Sequence, residues 1–305
     1  MIPVLDEDEV VDHLITTLLG VLDRLPSNDA EVVVVDDGST DDTREKLRGW
    51  VARDNRVKAV FLSRNFGHQS AVTAGLEIAR GDIIVVMDGD MQDDPNTIPA
   101  MIAKHDEGFD VVYAIRRDRA ENLWKRMAYW MHYRVGARVS DIQLPVDAGD
   151  FGLMSRRVLD EVNRLPEHLR YVRGLRAWVG FRQTGIEVTR HARAAGTSKY
   201  TVRALVRLSL DGLLGFSIMP LRLSILAGIA ILAATSGFGI YVLVDRLITG
   251  QPPEGFASLA LLSLALNGTV LIMLGIVGEY VGRIYLEVKQ RPSYIVEEIV
   301  ERHDG

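Results

Sequence analysis

The chain has 305 residues, 41 acidic against 35 basic for a formal net charge of −6, 48% hydrophobic residues and no cysteine. The lack of cysteine excludes disulfides, thiolate metal sites and cysteine nucleophiles and fits a reducing cytoplasm. Basic residues are scattered rather than gathered in one stripe, which excludes a nucleic-acid binder. The opening MIPVLDEDEVVDHL carries acidic residues where a signal peptide would carry basic ones, so no cleaved export signal is expected.

Along the first 200 positions, short β-branched runs alternate with helical patterns. Glu31–Val35 runs into DDGSTDDT, Val57–Leu62 into SRNFGHQ, Ile83–Met87 into DGD, and Phe109–Ala114 into IRRDR. Between them, Thr40–Asp54, His68–Arg80 and Asn96–Glu107 have helical spacing and helix-start residues. Strand and helix alternating at this length imply an α/β fold with a mainly parallel sheet covered on both faces. Ligands of such sheets bind beyond the carboxyl ends of the strands, where each polar cluster falls.

In DDGSTDDT, Gly38 suits a turn and Ser39, Thr40 and Asp41 suit a helix cap, a purely structural reading that stays open. It leaves Asp36 and Asp37 adjacent at a strand end without evident partners, and carboxylates there suit hydrogen bonds to a nucleobase or ribose. In DGD, Asp88 and Asp90 are one residue apart and can converge on one hard cation, Mg²⁺ or Mn²⁺, which prefers oxygen ligands completed by phosphate and water. Asp93 and Asp94, before Pro95, read instead as the start of the next helix, where carboxylates favour the dipole.

No charged residue occurs from Leu223 to Val244 or from Phe256 to Gly278. Each stretch is long enough to cross a hydrocarbon core of about 30 Å as a helix. Arg203, Arg207 and Arg222 precede the first span and Arg283, Lys289 and Arg291 follow the second, whereas the connector has only Arg246 against Asp245 and Glu254. The positive-inside rule then puts both ends in the cytoplasm. The expected organisation is a cytosolic catalytic domain over 1–200, an interfacial amphipathic segment over 201–222, two spans within 223–283 joined by a short external loop, and a cytosolic tail over 284–305. This describes a multi-pass protein of the inner, cytoplasmic membrane.

Seven segments in order, MIPVLDEDE, VVVVDDGSTDDT, SRNFGHQSAVTAGL, VVMDGDMQDDP, DAGDFGLMSR, AAGTSKY and GEYVGRIYLEVKQRPSYIV, resemble the polyprenyl-phosphate glycosyltransferases of glycosyltransferase family two. This is the group of the dolichol-phosphate mannose synthases and bactoprenol glucosyltransferases, and the bacterial members with two C-terminal spans are the most similar. The resemblance implies a GT-A fold and a metal-dependent, inverting transfer of one sugar from a nucleotide-sugar to a polyprenyl phosphate, giving a lipid-linked donor for cell-envelope glycosylation. UDP-glucose is the leading donor, with GDP-mannose and other UDP-sugars open. Homo-oligomerisation and a separate flippase are compatible with it.

Carried over residue by residue, the resemblance implies that Pro3, Asp6 and Glu7 lie beside the nucleotide and that Asp36 and Asp37 bind the nucleoside. Asp88, Asp90 and Gln92 would hold the metal and diphosphate, with Asp150 facing the reacting centre. Arg116, Arg117, Arg193, Ser198 and Lys199 would lie near the acceptor phosphate or the diphosphate. A phosphate monoester, with a second pKa of about 6, needs little help from a base, so Asp150 is expected to orient a substrate rather than remove a proton. Arg119, Arg156 and Arg157 read as solvated surface charge, and His68 as a helix-start residue.

The chain departs from the family pattern in having fewer apolar residues before Ile2-Pro3-Val4, Gly89 where Ala is usual, and Gly152 where Arg is common. A processive polysaccharide synthase is disfavoured, because RGLRAW at Arg173–Trp178 has a residue too many before the Trp and two spans are too few for a pore. A catalytically dead membrane scaffold is disfavoured by the intact acidic and basic clusters.

Overall fold

The computed structural model describes residues 1–26, 29–116, 148–167, 170–188, 219–249 and 255–302. Arg117, Arg119, Arg193, Ser198, Lys199 and most of the expected interfacial segment lie outside the described residues. Two units separate by their contacts, one of residues 1–212 with 291–305 and one of residues 213–290.

The first unit begins β1 (Ile2–Val4), α1 (Val11–Leu22), β2 (Val32–Asp36), α2 (Thr43–Arg53), β3 (Val57–Leu62), α3 (His68–Ile78), β4 (Ile83–Val86). A 3₁₀ turn at Pro95–Thr97 leads into α4 (Ile98–Asp106), followed by β5 (Val111–Arg116), β6 (Ala148–Ser155), α5 (Arg156–Arg164), α6 (Val172–Trp178) and β7 (Gln183–Val188). Strands β1, β2 and β3 pair in parallel, as the alternating pattern predicts. A second sheet, of β4, β6, β5 and β7 in that order, is mixed: β6 runs antiparallel between β4 and β5, and β7 pairs in parallel with β5. The Met1 amino group donates to Val85 O at 2.7 Å and Met87 N donates to Met1 O at 3.1 Å, joining the two halves.

The β-branched runs are buried on both faces: every residue of β2 and β3 is buried. Leu14, Ile15 and Leu18 on one stripe of α1 pack with Leu47, Phe61, Met101 and Phe151 in the main core. Because β6 is antiparallel, its beginning lies at the same sheet edge as the ends of β4 and β5. That edge carries the site.

Residues expected as a tail include an eighth strand, β8 (Val296–Val300), which pairs antiparallel with β3. Its acidic side chains meet bases on the catalytic unit: Glu297 accepts from Arg44 at 3.0 Å, Glu298 is held through both oxygens by Arg48 at 2.9 and 2.6 Å, and Glu301 pairs with the buried Lys58 at 2.8 Å. The charged Glu297 and Glu298 within VEEIV suit an edge strand covering an otherwise open ladder.

The second unit consists of α7 (Met219–Thr249) and α8 (Phe256–Lys289). Within them Leu221–Ile248 and Leu262–Lys289, 28 residues each, are long and apolar enough to cross a membrane, and their apolar windows are not buried within the protein. At 1.5 Å per residue each is about 42 Å long, enough to span the hydrocarbon with some tilt.

Candidate active site

The loop after β2 and the loop after β1 form one braced platform. Asp36 is fully buried; it pairs with Arg44 Nε at 2.7 Å and accepts from the Ser39 amide at 3.2 Å. Asp37 accepts from the amides of Phe66 at 2.8 Å and Gly67 at 2.9 Å. Gly38 turns between them at φ 80°, where a Cβ would sit 2.5 Å from the Arg64 carbonyl carbon, so only glycine fits. The Thr40 amide donates to Asp6 Oδ1 at 2.8 Å, the Asp6 amide to Ser39 Oγ at 2.8 Å, and the Glu7 amide to Thr43 Oγ1 at 3.0 Å. Pro3 lies beside Val35 in the β1–β2 pairing. The expectation that Asp36 and Asp37 lack partners is therefore corrected: the chain supplies them itself. Burial pushes the Asp37 carboxyl above its ordinary range, its neighbour Asp36 adds to this, and the two amides and His68 oppose it.

The DGD turn follows β4. Gly89 lies against β1, where a Cβ would come 2.8 Å from Val4 Cγ1 and 3.0 Å from Pro3 O. Asp90 Oδ1 accepts from the Gln92 amide at 3.2 Å, closing a tight turn through Met91 at φ 54°. Asp94 accepts from the Asn96 amide at 2.9 Å and caps the turn into α4, as its position before Pro95 predicts.

Three segments distant in sequence meet at Asp150. His68, first residue of α3, places Nε2 3.6 Å from Asp88 Oδ1 and 3.5 Å from Asp150 Oδ2. Arg173, from α6, grips Asp150 through Nε to Oδ1 at 3.2 Å and Nη2 to Oδ2 at 3.0 Å. Burial favours the neutral acid, yet His68 and Arg173 outweigh it and hold the Asp150 carboxyl well below the usual range. Burial likewise lowers the His68 pKa, and Asp150 and Asp88 more than reverse this, so its pKa is raised. Arg173, facing Asp150, is shifted upward in the same way against its own desolvation.

One ligand atom each from His68, Asp88 and Asp150 lie within 4.8 Å of one another, a geometry able to hold a cation. Two carboxylates and an imidazole fit a divalent ion such as Mn²⁺, provided the imidazole is neutral. Asp88 is common to this triad and to the expected set of Asp88, Asp90 and Gln92; Asp90 is not part of the triad. Arg116 closes β5, which neighbours β6, at the same edge.

His68 begins α3, as read from the sequence, and the structure also brings it together with Arg173 at Asp150, which the sequence reading did not anticipate. His68 lies in the polar cluster following β3, so applying the strand-end rule evenly would have included it; Arg173 has no local signal. The surface reading of Arg156 and Arg157 is also incomplete. Arg156 donates to Ala79 O at 2.8 Å and Gly81 O at 3.0 Å, and Arg157 Nη2 clamps the buried Asp110 at 2.5 Å.

The family description "glycosyl transferase family 2" matches residues 1–162. An uncharacterized glycosyltransferase of Bacillus subtilis, YkcC, is 44% identical over 298 residues, 97% of this chain and 92% of its own. The SfII prophage-derived bactoprenol glucosyl transferase of Shigella flexneri is 36% identical over 299 residues, 97% of this chain and 96% of its own. Among solved structures, a mannosyltransferase of Pyrobaculum calidifontis in complex with GDP-Man and Mn²⁺ is 19% identical, covering 65% of this chain and 56% of its own at a TM-score of 0.46. With a family match over more than half its length and relatives aligned nearly end to end, the chain belongs to glycosyl transferase family 2.

Proposed function

We propose that this glycosyltransferase moves one glucosyl residue, with inversion, from UDP-glucose to a polyprenyl phosphate at the cytoplasmic face of the membrane. The observation that carries this reading is end-to-end similarity, through both apolar helices, to a bactoprenol glucosyl transferase. In the transfer an acceptor phosphate oxygen attacks the anomeric carbon from the face opposite the diphosphate. The bond from that carbon to the diphosphate oxygen breaks, and UDP leaves with the electron pair.

The site chemistry suits this reaction. Asp150 is ionised and gripped by Arg173, so its role is to orient a substrate rather than to carry a proton. Pro3, Asp6, Glu7, Asp36 and Asp37 form the rigid floor on which the nucleoside would rest. Asp88 and Asp90 with Gln92, or Asp88 with Asp150 and neutral His68, would hold Mg²⁺ or Mn²⁺, and that ion would neutralise charge on the departing diphosphate. Arg116, Arg117, Arg193, Ser198 and Lys199 supply further donors for phosphate oxygens, with Arg offering a planar fork and Lys a point charge.

The test is a donor panel. Membranes containing the full-length protein receive polyprenyl phosphate, Mg²⁺ and, separately, UDP-glucose, GDP-mannose and UDP-N-acetylglucosamine, and the lipid products are read by mass spectrometry. A single added hexose with UDP-glucose, lost on chelation and restored by Mg²⁺ or Mn²⁺, is the expected result. Absence of lipid-linked sugar with every donor would sink the transferase reading.

A further inference from the structure

Arg176 lies on α6 three residues beyond Arg173, on the same side of the helix. It is 4% exposed. Burial pushes its pKa down to about 10, with Asp150 pulling upward and Arg173 adding repulsion, so it stays charged at neutral pH. Among the described residues its guanidinium makes one hydrogen bond, from Nη2 to Gly149 O at 3.3 Å, and no ion pair. A guanidinium has five N–H donors. Among the described residues this one is buried and charged with one donor engaged, an arrangement that an anion would complete.

Its location connects it to the reacting centre. A Cβ at Gly152 would lie 2.8 Å from Arg176 Nη1 and 2.9 Å from Val112 O. The guanidinium therefore occupies the space that any side chain at 152 would need. Phe151 and Leu153 both enter the main core, which leaves Asp150 and Gly152 to the other face of β6. Arg176 thus adds positive charge next to Asp150, and among the described residues, unlike Arg173, it meets no contacting carboxylate.

We propose that Gly152 and Arg176 form one phosphate-binding position, in which Gly152 admits the guanidinium and Arg176 binds a phosphate oxygen of a substrate beside Asp150. The proposal rests on the transferase reading above, whose two substrates both carry phosphate. The oxygen belongs to the donor's diphosphate or to the acceptor's monophosphate, and the experiment separates these. A guanidinium already held and desolvated engages an incoming anion with little reorganisation.

The full-length protein is compared with Arg176→Ala, Arg176→Lys and the double variant Gly152→Arg/Arg176→Ala, which launches a guanidinium from β6 into the same space. Initial rates are measured with UDP-glucose and polyprenyl phosphate varied separately. Arg176→Ala is expected to raise the KM for at least one phosphate substrate tenfold or more. Arg176→Lys recovers part of the loss, keeping charge without the fork, and the double variant recovers at least tenfold over Arg176→Ala. A KM effect confined to UDP-glucose places the donor diphosphate at Arg176, and one confined to the lipid places the acceptor phosphate there.

Rates within twofold of wild type in Arg176→Ala overturn the proposal, as do equal losses in the Ala and Lys variants with no recovery in the double variant. If the wild type makes no lipid-linked sugar with any donor, it is the transferase reading that fails. Equilibrium binding of UDP and of inorganic phosphate, which needs no turnover, then decides the proposal by itself. A tenfold weakening for either anion in Arg176→Ala supports it, and unchanged binding of both overturns it.

Discussion

The acidic pair after β2 and the acidic group at the end of β4 follow strands of two different sheets, and they differ in what faces them. Asp36 is held by the nearby Ser39 amide and Arg44, and Asp37 by the amides of Phe66 and Gly67 at the start of α3. Asp150 is held by His68 and Arg173, each on a different element, with Asp88 from a fourth segment against the same imidazole. The first arrangement stiffens a loop. The second gathers charged side chains whose only common feature is the space between them. Carboxylates at a strand end thus divide into braces and site groups by how many separate segments bring charged side chains to them, not by their own identity.

Asp150→Asn should break the comparison most strongly. It keeps the shape of the side chain while removing the charge that Arg173 and His68 organise, and turnover should fall about 10²-fold through lost positioning with the protein still folded and membrane-bound. Initial rates of lipid glucosylation, set beside a thermal melt of the same preparation, check both halves; a variant within threefold of wild-type rate would remove Asp150 from the site. Asp36→Asn should do the reverse. It breaks the pair with Arg44, which keeps Glu297 and Leu62 O, at a cost of about 1–3 kcal/mol for the mismatched buried group. Thermal unfolding should show the loss, while kcat per folded molecule stays near wild type. A collapse of kcat without loss of stability would make Asp36 a site group after all.

What the sequence made readable was local. β3 is read and observed over the same residues, Val57–Leu62. The aspartates of IIVVMDGDMQDDP divide as their neighbours dictate, Asp94 capping through Asn96 and Asp88 facing His68. Apolar runs without charge expose both long helices. Contacts that depend on topology were not readable. Nothing near Asp150 announces that β6 runs antiparallel between β4 and β5, yet this brings it to His68, and only α6 packing beside β6 supplies Arg173 and Arg176. Likewise VEEIV looks like a polar tail until β3 offers it an edge and Arg44, Arg48 and Lys58 offer it counter-charges. The supposed lack of partners at Asp36 failed for the same reason: Arg44 lies eight positions on, past a turn that only Gly38 can make.

The smallest effect sharpens the contrast through pH. Asp37 and Asp150 are both carboxylates with little solvent contact, and their pKa values move in opposite directions, Asp37 up through burial and Asp150 down through its cationic neighbours. An unfolded aspartate titrates near 3.9. With its folded pKa raised, Asp37 binds its proton more tightly in the folded chain, so its contribution to stability declines as pH rises from about 4 through the folded value. Asp37→Asn removes that decline but leaves an amide NH₂ where an oxygen accepted from Phe66 or Gly67, a defect of about 1–2 kcal/mol. The variant should therefore be less stable than wild type at acidic pH, with the gap narrowing toward neutrality. Paired thermal melts from pH 4 to 7.5 measure it. A gap that stays flat or widens with pH would mean that the Phe66 and Gly67 amides, rather than burial, govern Asp37, placing it with Asp150 among the carboxylates stabilised in their charged form.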